Sequence, residues 1–136
     1  MKTNKLLLKI LPLVTIFLIS CQNKQPEIMC KKNDQNLIVL VKYKIQPSKS
    51  EVAIAGLTKL IEEVKNEPNF VNIKLHIDLK DDSTILLYEE WSDANYYNDD
   101  HMKTIHLQSF MNDSRAFLAG PPEISQWKIE KEFSSK

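Results

Sequence analysis

The sequence predicts an α+β domain in which strands and helices follow the order β-α-β-β-α-β. Segments that alternate or are rich in β-branched residues indicate the strands, and segments with a 3.6-residue apolar period indicate the helices. Only a short polar loop separates the second and third strands, which is typical of an antiparallel hairpin. This order is that of a ferredoxin-like four-stranded antiparallel sheet with its helices on one face.

The first strand is predicted over residues 37–45, where β-branched residues dominate. Ser48 and Glu51 match a capping box, in which a hydroxyl and a carboxylate bond the free amides at a helix start. The apolar residues that follow recur with a helical period. Glu67-Pro68 is expected to end this helix, since the residue before a proline is driven out of the helical conformation.

Residues 71–79 alternate strictly between apolar and polar, and residues 84–91 form the third predicted strand. A further helical stretch follows, and its longer part is predicted as one helix over residues 101–118. A Gly-Pro-Pro sequence ends that helix. Residues 124–133 alternate again and are predicted to be the fourth strand. A domain of this size can cover the open face of its sheet by pairing sheet to sheet in a homodimer.

Composition and charge exclude several classes of function. Lys and Arg total 18 and Asp and Glu total 18, whereas nucleic-acid binders need surplus positive charge to neutralise phosphates. The two glycines are too few for glycine-rich phosphate loops. Two cysteines cannot by themselves form a disulfide scaffold or a four-ligand zinc site. No metal site is expected at His101 and His106, because zinc-binding helices place two histidines four residues apart, not five.

Residues 1–20 are predicted to be a lipoprotein signal peptide, because a positively charged start precedes a short apolar run. The LISC segment that ends at Cys21 resembles a bacterial lipobox. We therefore expect export, cleavage before Cys21, and a lipid on Cys21 that anchors the protein to a membrane of the bacterial cell envelope. An uncleaved N-terminal anchor helix is the alternative. Residues 21–36 read as a polar tether and residues 37–136 as the folded domain. Without the signal peptide the net charge is −3, because three lysines and no acid leave.

Several short motifs stand in a characteristic order along the predicted domain. They are, in chain order, Glu67-Pro68, Glu89 with Trp91, His101 with His106, and Phe110. In this order they resemble the antibiotic biosynthesis monooxygenase domain family over residues 37–133. Asn69 and Phe70 depart from the family pattern, which has Gly and a small residue there. The spacing from Trp91 to His101 is also about one residue longer than in the family.

The resemblance implies a dimeric α+β barrel and a cofactor-independent monooxygenase. The implied substrates are a quinol or polyphenol-like small aromatic molecule and molecular oxygen, with no metal and no bound cofactor. In such chemistry the anion of the substrate itself reduces oxygen, so the protein need only deprotonate, desolvate and position the substrate.

His106 is the first candidate for the base. It shares a helix face with Met102 and Phe110, so its ring is expected to point into an apolar cavity and exchange a proton near neutral pH. His101 is the second catalytic candidate, and a packing role is the alternative for both histidines. The predicted substrate-binding residues are Trp91, Tyr88, Tyr97, Phe110 and Met102.

Glu89 shares a strand face with Trp91 and apolar residues, so its carboxylate needs a partner. We expect that partner to be a lysine or a backbone amide, with a structural role for the pair. Trp91 itself has the alternative role of a core or dimer-interface residue. Tyr96 and Tyr97, in the short helical stretch after the third strand, have the alternative role of surface residues.

Two other functions are open. A non-catalytic, lipid-anchored module would bind a small apolar ligand in the same pocket without turnover. A haem-binding or haem-degrading relative would carry an Asn in the first strand, a Trp in the helical segment and a His farther along. The first strand has no Asn, His101 stands where the Trp would be, and Met111 falls near the place of the His.

Overall fold

The computed structural model describes residues 36–135. The predicted signal peptide, the lipidation of Cys21 and the tether up to residue 35 lie outside these residues. Within residues 36–135, no helix is both long enough and apolar enough to cross a membrane.

Four strands and three helices in the described part follow the predicted order. The strands are β1 (Leu37–Lys44), β2 (Phe70–Ile77), β3 (Thr84–Trp91) and β4 (Glu123–Lys128). The helices are α1 (Ser50–Val64), α2 (Ala94–Asn98) and α3 (Ile105–Asp113). Short 3-10 turns at His101–Lys103 and Ser114–Ala116 flank α3.

The strands form one antiparallel sheet in the order β2-β3-β1-β4. β1 and β3 lie at its centre and pair in register from Leu37 opposite Trp91 to Lys44 opposite Thr84. The two edge strands, β2 and β4, each have one neighbour. This topology confirms the predicted ferredoxin-like α+β fold.

The core lies between the helices and one face of the sheet. Alternate residues of β1 and β3 point toward α1, as the two-residue period of a strand requires. Full burial of a Val, Leu or Ile side chain contributes about 1.5–3 kcal/mol to the stability of the fold. The buried members from the central strands and α1 are Val39, Val41, Tyr43, Ile85, Leu87, Ala53, Leu57, Leu60 and Val64.

The predicted capping box at Ser48 and Glu51 is wrong. Helix α1 begins at Ser50, and Lys49 occupies the N-cap position without a side-chain cap. A tight turn precedes it, in which the amide of Lys49 donates to the carbonyl of Gln46 at 3.1 Å. Ser48 has φ 62° in this turn, the left-handed conformation that the third residue of a type II turn adopts.

The helix predicted over residues 101–118 is divided into three pieces. Thr104 is extended, with φ −62° and ψ 144°, and separates the 3-10 turn at His101 from α3. Its hydroxyl donates to the carbonyl of His101 at 2.8 Å, which completes the turn. The side chains before and after Thr104 therefore do not follow one helical period.

Both edge strands differ from the predicted alternation. In β2 the register shifts between Phe70, opposite Trp91, and Asn72, opposite Glu90. Val71 is the extra residue of this bulge, so Phe70 takes the helix-facing position that the strict alternation gives to Val71. β4 ends at Lys128, shorter than predicted.

Candidate functional site

A cavity of about 480 Å³ lies between the helices and the helix-facing side of the sheet. Its walls are mainly apolar and come from β1, β3, α1 and α3. Met111 and Ile124 line it and are about half exposed, so the cavity opens to solvent between α3 and β4. This volume is typical of sites for small molecules. The polar residues of the lining are Tyr43, Glu89, Tyr97, His101, Ser114 and Arg115.

Glu67 is buried next to this cavity and contacts two histidines, with its side chain 5% exposed. Nδ1 of His101 lies 2.9 Å from Oε2 and 3.1 Å from Oε1 of the carboxylate. Nε2 of His106 bonds Oε1, and the hydroxyl of Tyr96 donates to Oε2 at 3.1 Å. Three donors thus satisfy a carboxylate that has little contact with water.

The turn after α1 delivers Glu67 to this position. Its amide donates to the carbonyl of Val64 at 2.9 Å, which closes the last helical turn. Asn69 then has φ 66°, a left-handed conformation that asparagine tolerates well. Its carbonyl accepts a bond of 2.9 Å from the amide of Ser92, so the turn is tied to the end of β3.

The contact with Glu67 determines what His101 can do. A carboxylate only accepts hydrogen bonds, so we assign the ring hydrogen of His101 to Nδ1 and the lone pair to Nε2. No hydrogen bond to Nε2 comes from the described residues, and the ring lines the cavity. Burial lowers the pKa of His101, against the opposing effect of Glu67. A neutral imidazole held by a carboxylate in this way is suited to act as a general base.

Two aromatic rings fix the His101 imidazole. The ring centroid of Trp91 lies 4.6 Å from that of His101. The ring of Tyr97 is stacked on the His101 imidazole, with the centroids 5.1 Å apart and an interplanar angle of 20°. Trp91 is fully buried and has Phe70 against it, edge to face at 6.0 Å. The imidazole is therefore held by packing as well as by Glu67.

Glu89 is the second titratable group of interest on the cavity wall. Its side chain lies on the helix-facing side of β3, and the residue is 6% exposed. Its partner is the indole of Trp91, whose Nε1 donates to Oε2 at 3.1 Å, and not the predicted lysine or backbone amide. Burial raises the pKa of Glu89 to about 7; the Trp91 hydrogen bond lowers it and the charge of Glu67 raises it.

The structure brings four of the predicted site residues to the cavity wall. Trp91 does not line the cavity and instead supports His101 from behind, while His106 and Tyr88 lie elsewhere. The four lining residues are His101, Met102, Tyr97 and Phe110.

His106 does not share the cavity face with Met102 and Phe110. The extended Thr104 breaks the helical period on which that expectation depends. The ring of His106 meets the outer side of Glu67 and keeps a quarter of its side chain exposed. His101, the second candidate, takes the place at the cavity.

Tyr88 lies on the opposite face of the sheet. It pairs with Leu40 of β1 and Lys74 of β2, and the ammonium of Lys74 lies 5.5 Å from the centre of its ring. Its neighbours in β3, Leu87 and Glu89, point toward the helices. Tyr88 is therefore separated from the cavity by the sheet itself.

No hydrophobic or helical pattern predicts the contact between Glu67 and the histidines, because the three residues come from separate segments. The only sequence signal is the Glu-Pro dipeptide in the family resemblance. The signal at Glu89 is a carboxylate on an apolar strand face. In residues 36–135, no group of three or more His, Cys, Asp or Glu side chains is arranged to hold a metal ion.

Comparison with known proteins agrees with this fold. The family model for antibiotic biosynthesis monooxygenase matches residues 36–113. A crystal structure of an antibiotic biosynthesis monooxygenase has a TM-score of 0.61 at 23% identity and covers 67% of this chain and 95% of its own. A conserved protein from Methanosarcina mazei Go1 has a TM-score of 0.64 at 21% identity, covering 70% and 93%. A protein from Pseudomonas aeruginosa has a TM-score of 0.63 at 22% identity, covering 69% and 93%. No curated protein sequence matches the chain significantly.

Proposed function

Because the chain belongs to the antibiotic biosynthesis monooxygenase family, we propose that it is a cofactor-independent monooxygenase acting on a quinol or polyphenol-like small aromatic substrate. One observation carries the proposal. A mainly apolar cavity of about 480 Å³ holds on its wall the ring of His101, which a buried Glu67 contacts through Nδ1. The family includes monooxygenases, and this site has the parts that such a reaction requires.

The cavity supports the binding of an aromatic ring. Tyr97 and Phe110 present aromatic surface to it, and Met102 adds a flexible thioether. Walls of this kind exclude water from a bound substrate, so a phenolate formed there is poorly solvated and more easily oxidised. Tyr97, Phe110 and Met102 are the proposed substrate-binding residues, and Trp91 holds the base in place.

His101 begins the reaction. Its Nε2 takes the proton of a phenolic hydroxyl, and the resulting phenolate gives electrons to molecular oxygen. One oxygen atom enters the ring and the other leaves as water, so one quinol and one oxygen molecule give one hydroxyquinone and one water. All four electrons come from the substrate. Glu67 is a positioning residue in this scheme, because it holds the imidazole with the lone pair on Nε2.

Oxygen uptake tests this function. The full chain, purified in detergent, is incubated with 1,4-naphthoquinol under ¹⁸O-labelled oxygen. We expect uptake above the rate of autoxidation and one labelled oxygen atom in the hydroxyquinone product. Quinone binding without any uptake above autoxidation would overturn the proposal in favour of a binding module. A Soret band on titration with haem would favour the haem-binding alternative.

The location of the protein is a separate proposal that depends on the sequence before the described residues. Signal-peptide cleavage and a lipid on Cys21 would hold the domain at a membrane of the bacterial cell envelope. Replacement of Cys21 by Ser tests it. We expect the wild-type chain in the membrane fraction and Cys21→Ser outside it, whereas equal membrane association of the two would contradict lipid anchoring.

A further inference from the structure

Glu89 has more capacity to bond than the fold uses. Its Oε2 accepts from Nε1 of Trp91, and its Oε1 has no hydrogen bond from the described residues. In that part of the chain, every fully buried side-chain oxygen or nitrogen has a partner. Oε1 therefore keeps some accessible surface, and the residue lines the cavity. A carboxyl oxygen is thus available to a molecule bound there.

Within residues 36–135, no cationic side chain pairs with this carboxyl group. No ion pair of the described residues includes Glu89, although its side chain lies among Ile85, Leu87 and Trp91. Burial raises its pKa to about 7, so near neutral pH a large fraction of the molecules carry the proton. The titratable and charged groups that share its cavity or act on it through their charge are Tyr43, Glu67, Tyr97, His101 and Arg115.

Trp91 connects Glu89 to the base. Its indole nitrogen bonds the Glu89 carboxyl, and its ring packs against His101 at 4.6 Å. One buried side chain therefore fixes both titratable groups on the wall of one cavity. The two groups have complementary protonation states near neutral pH, because His101 is held neutral as an acceptor while Glu89 keeps a proton to donate.

We propose that Glu89 is the general acid that protonates the oxygen atom leaving as water, while His101 serves as the base. This inference rests on the proposed monooxygenase function. It adds a second catalytic residue on the same cavity wall and gives Trp91 the role of a positioning residue for both.

The reaction consumes one quinol and one oxygen molecule and returns both residues to their starting protonation states. The phenolate, formed when His101 takes the phenolic proton, reduces oxygen and combines with it at a ring carbon. The peroxide then takes that proton back from His101 to give a hydroperoxide. Next, His101 removes the proton of the same ring carbon, the C–H electron pair forms a carbonyl bond, and the O–O bond breaks. The leaving hydroxide takes the proton of Glu89 and departs as water. Proton transfer from His101 to the Glu89 carboxylate then restores both groups.

The variant Glu89→Gln separates this role from simple support of Trp91. Glutamine keeps a carbonyl oxygen for the Trp91 indole but has no acidic proton. The matched control is Glu90→Gln, the next residue of β3, which lies on the other face of the sheet and bonds Asn36. Steady-state oxygen uptake, hydrogen peroxide and product are measured for both variants from pH 5 to 9.

For Glu89→Gln we expect kcat to fall about 100-fold, the usual contribution of a general acid, with KM within about threefold of wild type. Release of hydrogen peroxide should rise relative to hydroxyquinone. Wild-type activity is expected to fall above pH 7 as Glu89 ionises, and this fall should be absent in Glu89→Gln. Glu90→Gln should match the wild type in all three measurements.

Other results would overturn the inference in distinguishable ways. A wild-type chain that oxidises naphthoquinol and a Glu89→Gln variant with the same kcat and pH profile would refute the role of Glu89 alone. A wild-type chain without oxygen uptake would refute the proposed function and the general acid with it. Circular dichroism and thermal melting of Glu89→Gln show whether the fold is kept. Glu89→Asp keeps an acidic side chain. If this variant regains part of the lost kcat and again loses activity above pH 7, the result would further support an acid.

Discussion

Nδ1 of His101 lies 2.9 Å from Oε2 of Glu67, although 34 residues separate them in the chain. Glu67 follows α1, His101 belongs to the 3-10 turn before α3, and both side chains are about 5% exposed. The contact fixes the tautomer of a histidine on the cavity wall. It leaves Nε2 of His101 as an acceptor on the cavity wall, which the proposed role of this histidine as a base requires.

Replacement of Glu67 by Gln tests the structural importance of this contact. The Glu67 carboxylate accepts hydrogen bonds from Tyr96, His101 and His106. The carboxamide of glutamine would turn its own NH₂ group toward at least one of these donors, so a buried polar group would lose its partner. We expect the free energy of unfolding to fall by about 1–3 kcal/mol, measured by urea denaturation. Glu62→Gln is the control, since the Glu62 side chain is exposed and its ion pair in the described part of the chain is with Lys65; this variant should change stability by less than about 0.5 kcal/mol. Equal effects of the two variants would contradict the role of Glu67.

Trp91→Phe should weaken the fold and shift the titration of Glu89. Phenylalanine keeps most of the packing but removes the Nε1 donor, so the pKa of Glu89 should rise further above 7. We expect destabilisation of about 1–3 kcal/mol from the unpaired carboxyl group. Phe133→Leu is the control, because Phe133 is an aromatic residue that lies after β4 and is 89% exposed. Carbon-13 NMR of labelled glutamate follows the titration, and an unshifted or lowered Glu89 pKa would contradict the assignment.

The stability of the protein should depend on pH through Glu89. The unfolded chain loses this proton near the ordinary value of 4.5 and the folded protein loses it near 7. Between these values the unfolded chain binds fewer protons, so the free energy of unfolding falls as pH rises, by up to about 3 kcal/mol. His101, whose pKa is lowered, has the opposite sign, because its contribution to stability is lost as the pH falls below about 6.5.

The comparison of the wild-type chain with Glu89→Gln isolates the first of these effects, since His101 is present in both. Urea denaturation at half-unit intervals from pH 4 to 8 gives the two stability curves. We expect Glu89→Gln to become more stable relative to wild type as pH rises from 4.5 to 7, and then to keep a constant difference. Parallel curves over the whole range would show that Glu89 does not titrate as proposed.

The open face of the sheet leads to a prediction about assembly. Leu40 and Leu86 lie there with Tyr88, and Trp127 at the edge is 57% exposed. A homodimer that packs these faces together would cover this surface. Sedimentation of the wild-type chain should show a dimer, and Leu40→Lys should give a folded monomer. Leu79→Lys, at a fully exposed position after β2, should remain a dimer. A wild-type monomer at micromolar concentration would refute the prediction.

The sequence is sufficient to predict the four strands and their antiparallel sheet, because β-branched and other apolar residues dominate β1 and most of β3, and a short polar loop joins β2 to β3. The third strand is predicted to the residue, at Thr84–Trp91. The boundaries are less accurate where a single residue changes the local geometry. Val71 forms a bulge in β2, and Thr104 breaks the second helical segment.

The candidate site is predictable only in part for the same reason. An apolar periodicity cannot show that Thr104 is extended, so it directs His106 toward the cavity and ranks His101 second. It also cannot show that the turn after α1 brings Glu67 between the two rings, because that contact depends on the packing of segments distant in the chain. Glu89 is recognisable as a carboxylate on an apolar strand face, but its indole partner depends on side-chain packing.

The most direct test of the proposed base compares two alanine variants with a control in one assay. His101→Ala and His106→Ala are measured for naphthoquinol-dependent oxygen uptake beside His76→Ala, whose side chain is exposed on β2. We expect His101→Ala to lose about 100-fold or more in kcat, the scale of a general base. We expect a loss of less than about tenfold for His106→Ala, and none for His76→Ala. Full activity in His101→Ala, with the large loss in His106→Ala instead, would contradict the assignment of His101 as the base.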